Sequence, residues 1–159
     1  MRMNEGVEWA LHSCVNMTWL DRDEAVTAKK LAAFYDLPAA YLNKQLQALV
    51  KVGILTSTSG PRGGFKLARR PDRITLLDIV TAIEGGEDAF RCEGILRKGP
   101  GGRDDVDYRA HCEVSLAMRQ ADLAWRRSLA GTTVADIAAT VERKHPGAGE
   151  GTRARFAGI

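Results

Sequence analysis

Long apolar runs are missing from this chain of 159 residues. None approaches the roughly 18 residues that a bilayer-spanning helix needs. The opening MRMNEGVEWALHSC runs straight into an amphipathic pattern instead of a signal peptide. Both absences argue against a membrane and for the cytoplasm. Cysteine is scarce as well: Cys14, Cys92 and Cys112 are too few and too widely spaced for a secreted disulfide scaffold. They are left as small buried side chains or as ligands. Charge of one sign is in only slight excess, with 23 Lys and Arg against 20 Asp and Glu for a net +3. So mild a balance does not announce a nucleic-acid partner, and the placement of the charge matters more. No internal repeat, nucleotide-cradling loop or nucleophile motif is present. What remains is 45% hydrophobic, ordinary for one globular domain or one domain with an extension.

The positions Val7, Ala10, Leu11, Cys14, Val15 and Met17 repeat at three and four, which predicts an amphipathic helix from Asn4 to about Leu20. After the polar DRDEAV, Thr27 offers an N-cap to AKKLAAFYDL, a short helix ending near Tyr35. Leu37-Pro38 marks a break, because a residue before proline disfavours helical backbone. A third helix, AAYLNKQLQALVKVG, carries Tyr41, Leu42, Leu46, Leu49 and Val50 inward, with Gly53 as its C-cap. The period then changes: ILTSTSG reads as a strand, PRGG as a turn and FKLARR as the returning strand. TLLDIVTAIEGG is another short helix, and Glu87 to Tyr108 reads as loop. Helix resumes at about Cys112 and runs to Leu129, with Val114, Met118, Ala121, Trp125 and Leu129 along one stripe. A final turn or two starts at Thr132 or Thr133, and the stripe-free ERKHPGAGEGTRARFAGI is expected to be disordered.

Three helices followed by a hairpin is the order of a winged helix-turn-helix, in which a short helix and a turn hold the next helix for a major groove. The fold class expected is therefore mainly α with a small β-hairpin. The exposed face of helix three offers Asn43, Lys44, Gln45, Gln47 and Lys51, and Tyr41 near its start also has an outward option. Asn and Gln match adenine edges, and Lys reaches guanine or phosphate. In the hairpin, GPRGGFKLARRPDR sets Arg62, Lys66, Arg69, Arg70 and Arg73 against a single acid, Asp72. Ser57, Thr58 and Ser59 are hydroxyl donors suited to phosphate oxygens. Gly63 and Gly64 permit a tight tip with close backbone approach, leaving Arg62 free to enter a minor groove. Each feature alone is also what a solvated surface offers; together, in this order, they indicate double-stranded DNA. Thr27 and Ser59 complete the candidate DNA contacts. The long helix 112–129 needs a cover for its stripe, and a twin copy would give two recognition helices for a two-fold site. Packing back over its own domain is the alternative.

The stretch GVEWALH puts Glu8 and His12 four residues apart on one helical face. Taken alone the pair is a partly exposed helical contact. Trp9 between them is a core or interface anchor, or a ring whose rotamer could follow the state of whatever the pair binds. Cys14 belongs to the apolar stripe.

The opening helix, LAAFYDLPAAYLNKQLQALVKVGIL, SGPRGGFKLAR, ITLLDIVTAIEGG and the cysteine-bearing loop resemble the winged-helix iron–sulfur regulators of bacteria that include IscR, NsrR and RsrR. The likeness spans about residues 1–141. It implies residues 1–84 as the DNA-binding domain, 85–111 as a cluster-binding loop, 112–141 as a dimerisation helix with a terminal helical turn, and 142–159 as a disordered tail. Members with clusters usually bring three loop cysteines, whereas this loop region has only Cys92 and Cys112. The chain looks most like the RsrR-type branch. That likeness implies a [2Fe-2S] cluster held by Glu8 and His12 of one subunit and Cys92 and Cys112 of the other, in a homodimeric redox-sensing repressor. The mixed ligation is chemically reasonable for iron. Zinc accepts the same donors, and the spacing does not decide; His111 beside Cys112 is a substitute ligand. A cluster-free regulator sensing a small molecule through residues 87–112 is the alternative function. An enzyme using Glu8 and His12 as an acid–base pair is disfavoured, since no second carboxylate is placed beside them.

Overall fold

The computed structural model describes residues 3–61 and 63–159, so Arg62 lies outside the described residues. Helix α1 (Glu5–Met17) starts where the Asn4 side chain accepts the Gly6 N–H, and it buries Val7, Ala10, Cys14, Val15 and Met17. Helix α2 (Ala28–Tyr35) is capped by the Thr27 hydroxyl, which accepts the Lys30 N–H at 3.1 Å. It ends at Asp36 in the left-handed region (φ 54°), a short polar residue that tolerates this conformation. Pro38 then opens helix α3 (Ala39–Lys51), whose Leu42, Leu46 and Leu49 are fully buried.

Strands β1 (Leu55–Thr58) and β2 (Gly64–Leu67) pair antiparallel, with Leu55 opposite Leu67 and Thr58 opposite Gly64. The hairpin does not hang free. Val26, just before α2, bridges Phe65 through N–H to carbonyl bonds of 2.9 and 2.8 Å. Gly64 makes this approach possible: a Cβ there would stand 2.6 Å from the carbonyl carbon and oxygen of Val26. Position and orientation of the hairpin are thus tied to the helix-turn-helix by backbone.

After the 3-10 turn Pro71–Arg73, helix α4 (Leu76–Glu84) opens with a capping box in which Thr75 and Asp78 satisfy each other's backbone N–H. An irregular stretch follows, with a 3-10 turn at Ile95–Lys98 and the single-turn α5 (Tyr108–His111). The long α6 (Glu113–Ala130) comes next, then α7 (Val134–Lys144), capped by Thr133 and Asp136, and α8 (Ala148–Ala157). The core lies between α1, α3, α4 and α7, and Val134, Ala138 and Phe156 belong to the same buried cluster as Leu31, Leu46 and Ile79. Among the described residues, no helix is long and apolar enough to cross a membrane.

The C-terminal part departs from the sequence expectation in two ways. The final turn or two is an eleven-residue helix, α7, packed on α1. Of the 142–159 tail, expected to be disordered, residues 142–144 finish α7 and Ala148–Ala157 fold as α8. It lacks a stripe because one large anchor holds it: Phe156 is 3% exposed and stacks on Phe34 of α2 with ring centroids 4.8 Å apart. Its start is satisfied by Glu142, which accepts the N–H groups of Gly147 and Gly149 at 2.7 and 2.9 Å. Gly149 is small because the Trp19 ring packs against its Cα, where a Cβ would stand 2.6 Å from Cδ1.

Candidate nucleic-acid interface and candidate metal centre

Asn43, Lys44, Gln47 and Lys51 stand exposed along α3, and Tyr41 is 54% exposed at its start. Gln45 does not join them. It is buried, 6% exposed, and its amide lies over Gly6 of α1, where a Cβ would meet Cδ and Nε2 at 2.6 Å. The physical reason is spacing: Gln45 follows Leu42 by three and precedes Leu49 by four, which places it on the core face whatever its polarity. That spacing was the available signal. Gln45 is therefore corrected from a DNA contact to a spacer between α1 and α3.

At the hairpin tip Ser59 is exposed and Gly60 holds φ 102°. Gly63 sits where a Cβ would fall 2.3 Å from the Thr58 carbonyl oxygen. Lys66 is half-buried, with its ammonium 3.5 Å from the Asp23 carboxylate. A pair this long on an exposed carboxylate is worth about 0–1 kcal/mol, so Lys66 can exchange Asp23 for a phosphate at little cost. Arg69 is used differently: it donates to the carbonyls of Gly53 and Val52 at 2.9 and 3.3 Å, closing the end of α3. Arg70 forks onto Asp72 at 3.1 and 2.6 Å. The basic run is thus partly structural. Thr27 is exposed, its hydroxyl oxygen capping α2 while the hydroxyl proton is left to donate.

Glu8 and His12 are exposed one turn apart on α1, and the His12 ring meets the Tyr35 ring edge-on at 5.8 Å. Burial pushes the Tyr35 phenol up, partly offset by the bond that its oxygen accepts from Asn16 at 2.8 Å. Trp9 is half-buried and contacts Tyr41 edge-on at 5.8 Å, which connects the Glu8–His12 turn to the start of α3. Cys92 and Cys112 are half-buried free thiols. Cys92 lines an open cleft of about 630 Å3 together with Glu87, Arg91, Arg109 and Arg119, and Cys112 precedes α6. Cys14 is different: complete burial pushes its thiol up to about 12, so it stays a neutral core side chain. His111 Nδ1 lies 3.0 Å from the Asp107 carbonyl oxygen. Among the described residues, no three His, Cys, Asp or Glu side chains of one chain form a metal-holding group.

Helix α6 exposes Val114 (63%), Met118 (41%) and Leu123 (51%). One side is fixed to its own chain, where Arg126 pairs with Asp122 at 2.6 Å and donates to the carbonyls of Gly86 and Glu87. Val114 and Met118, four residues apart, share one flank of α6, and Leu123 lies on the opposite flank.

Comparison with known proteins supplies the context. The Rrf2 model, described as an iron-dependent transcriptional regulator, matches residues 3–140. A protein of Aquifex aeolicus named as an HTH-type transcriptional regulator is 32% identical over 145 residues, covering 91% of this chain and 96% of that one. The HTH-type transcriptional repressor NsrR of Streptomyces coelicolor is 25% identical over 140 residues, 87% of this chain and 89% of its own. Among solved structures, CymR (YrzC), the global cysteine regulator of B. subtilis, aligns with TM-score 0.67 at 23% identity, over 88% of this chain and 98% of its own. T. potens IscR aligns with TM-score 0.67 at 18% identity, over 91% of each chain. At these identities the structural likeness is one of fold.

Proposed function

The chain belongs to the Rrf2 family of DNA-binding transcriptional regulators, and on that premise we propose that it is a homodimeric repressor of the bacterial cytoplasm, resembling the RsrR-type branch, that senses redox state through an intersubunit [2Fe-2S] cluster. It is a regulator and not an enzyme, so the acid–base reading of Glu8 and His12 is set aside. The observation that carries the proposal is the distribution of donors. Glu8 and His12 face outward on α1, Cys92 and Cys112 flank the irregular segment before α6, and no three donors meet within one chain among the described residues. A second copy is what can complete the set, and the exposed Val114 and Met118 on one flank of α6 offer it apolar contact.

The donor types fit the group: two unpaired thiols, an imidazole and a carboxylate, all reachable from outside. Glu8 and His12 of one copy and Cys92 and Cys112 of the other would hold the cluster, which when bound supplies a reversible one-electron change at a potential raised by imidazole ligation. The chain does the rest. His12 would hold the cluster through one ring nitrogen and leave the other for a hydrogen bond. Trp9, between the two ligands, leans on Tyr41 at the start of α3, so a change at the Glu8–His12 turn is felt where α3 enters the major groove. Asn43 and Lys44 then read base edges. Ser59, Lys66 and the tip bearing Arg62, Gly63 and Gly64 hold the backbone and the adjacent minor groove, with Thr27 on a phosphate. Two copies present two recognition helices to an approximately two-fold operator.

The test is the visible spectrum, with iron and acid-labile sulfide per chain, of anaerobically purified protein. C92A and C112A should abolish the cluster, and E8A and H12A should weaken it or alter its spectrum. If all four keep the wild-type spectrum and iron content, the ligand assignment is wrong. The cleft beside Cys92 favours a second reading, a cluster-free regulator with a small-molecule ligand there. Iron-free protein that binds its operator with full affinity would support it.

A further inference from the structure

Helix α8 packs on α2, the first helix of the helix-turn-helix, and its last turns make the contact. Arg155 and Phe156 engage one ring: Phe156 stacks on Phe34 with centroids 4.8 Å apart, and the Arg155 guanidinium carbon sits 5.1 Å from the Phe34 centroid. One turn earlier on α2, the Lys30 ammonium donates to the Phe156 carbonyl at 3.2 Å. Lys30 is also the residue whose backbone N–H the Thr27 hydroxyl accepts. The end of α8 therefore stands beside the first turn of α2, where Thr27 sits. Charge there is of one sign. Lys29, Lys30, Arg153 and Arg155 share Ala28–Tyr35 and residues 151–157 with no acid. The acids of the loop before α2 lie toward the wing, where Asp21 and Glu24 line a small cleft with Lys66, and Asp23 pairs with that lysine.

Arg153 and Arg155 are both exposed, but they are used differently. Arg153 donates to the Trp19 carbonyl at 3.2 Å, whereas Arg155 makes no hydrogen bond or ion pair among the described residues. A guanidinium held by its flat face against a ring keeps its N–H donors free at the edge, the arrangement that phosphate oxygens match. We propose that Arg155 of α8 is a DNA-backbone contact, which extends the helix-turn-helix past the start of α2 onto flanking phosphates of the duplex. The inference rests on the reading that Thr27 meets a phosphate. A duplex carries one charge about every 1.7 Å of its axis, so one seated at Thr27 offers further phosphates to a cation on the adjoining surface. The stack on Phe34 holds Arg155 in place before DNA arrives, which lowers the ordering cost of the contact. Helix α8 then has a purpose: it lengthens the backbone footprint without reading sequence.

The experiment measures binding of the full chain to a fluorescein-labelled random-sequence duplex of about 40 base pairs, because phosphate contacts are independent of sequence. Titrations at KCl concentrations from about 50 to 200 mM give the salt slope. R155Q should lower that slope by about 0.9 per bound copy, so that its affinity falls about 3.5-fold less than that of wild type across this range. R155K keeps the charge and should restore the slope. R143Q, the same loss of charge on α7 at the other end of α8, should leave it unchanged. An unchanged slope for R155Q overturns the proposal. So does an equal drop for R143Q, which makes the effect one of net charge. An R155K slope as low as that of R155Q also overturns it, because the stack on Phe34 and not the charge is then the cause. The two readings fail separately, because T27D keeps an N-cap on α2 but sets a carboxylate against the phosphate. Binding weakened by T27D with the slope kept in R155Q sinks only the role of α8. A slope lowered in R155Q with T27D binding as wild type sinks only the placing of Thr27.

Discussion

Replacing Gly64 with alanine should loosen the wing from the helix-turn-helix. The added Cβ would stand 2.6 Å from the Val26 carbonyl carbon and oxygen and 2.9 Å from the Thr27 nitrogen. All three are backbone atoms, so no side chain can swing away, and relief requires the Val26–Phe65 bridge to part. That bridge is two hydrogen bonds of 2.9 and 2.8 Å, worth about 1 kcal/mol each net. The alanine itself is also strained at position 64, where φ is 153°, a value that side chains rarely adopt, for about 1 kcal/mol more. The sum is about 3 kcal/mol, before any loss from opening Val26 and Phe65, which are 3% and 5% exposed. Gly60 is the control: its φ is 102° but, among the described residues, no atom lies within 4 Å of where its Cβ would stand, so alanine there should cost only about 1 kcal/mol of strain. Urea unfolding of both variants, with amide exchange at Phe65, measures the difference. Equal, small losses for the two, with Phe65 still protected, would refute the claim that the wing is fixed through Gly64.

Phe156→Ala should cost about 3 kcal/mol by urea unfolding, the usual range for a buried Phe, and the loss cannot exceed that of deleting α8, because the helix is terminal. A silent substitution would return the tail to disorder. Lys66→Ala should weaken all duplexes alike and lower the salt slope by about one. Arg69→Ala, which uncaps α3, should instead lower stability and leave that slope unchanged; a slope change for Arg69 would place it on phosphate. Bonds from the Gly149 and Gly147 N–H groups hold the Glu142 carboxyl below its ordinary range. The stability it lends is therefore complete above the ordinary Glu value of 4.5 and lost as pH falls through its lower folded value. Glu142→Gln should flatten this part of the acid profile, read by urea midpoints from pH 3 to 6.

Where signals are local, the sequence was legible. Thr27 announces its helix because a cap acts within one turn, and the hairpin follows from a change of period between Gly53 and Phe65. Signals that depend on distant partners were not. Gln45 looks like a DNA contact until Gly6, on another helix, is seen to make room for it. Phe156 is a lone aromatic in a glycine- and arginine-rich tail, and only its stacking on Phe34 turns that tail into a helix. Arg69 reads as wing charge because nothing in a linear pattern reveals which carbonyls it will reach. At the candidate metal centre, spacing discloses that Glu8 and His12 share a face, but the proposed union with Cys92 and Cys112 would be a property of two chains. It came from resemblance, and the single chain is compatible with it by leaving those donors apart.

Complementation in mixed dimers tests that union most directly. An E8A/H12A chain and a C92A/C112A chain, each unable to build the site alone, are differently tagged, mixed for subunit exchange, isolated as heterodimers and reconstituted anaerobically with iron and sulfide. If ligands come from both copies, the mixed dimer keeps one intact site of its two by symmetry. It should then load about half the wild-type iron and sulfide and regain the cluster absorption, while each parent homodimer stays colourless. Heterodimers as empty as their parents, with wild-type dimers loaded in parallel, would contradict a cluster shared between the copies.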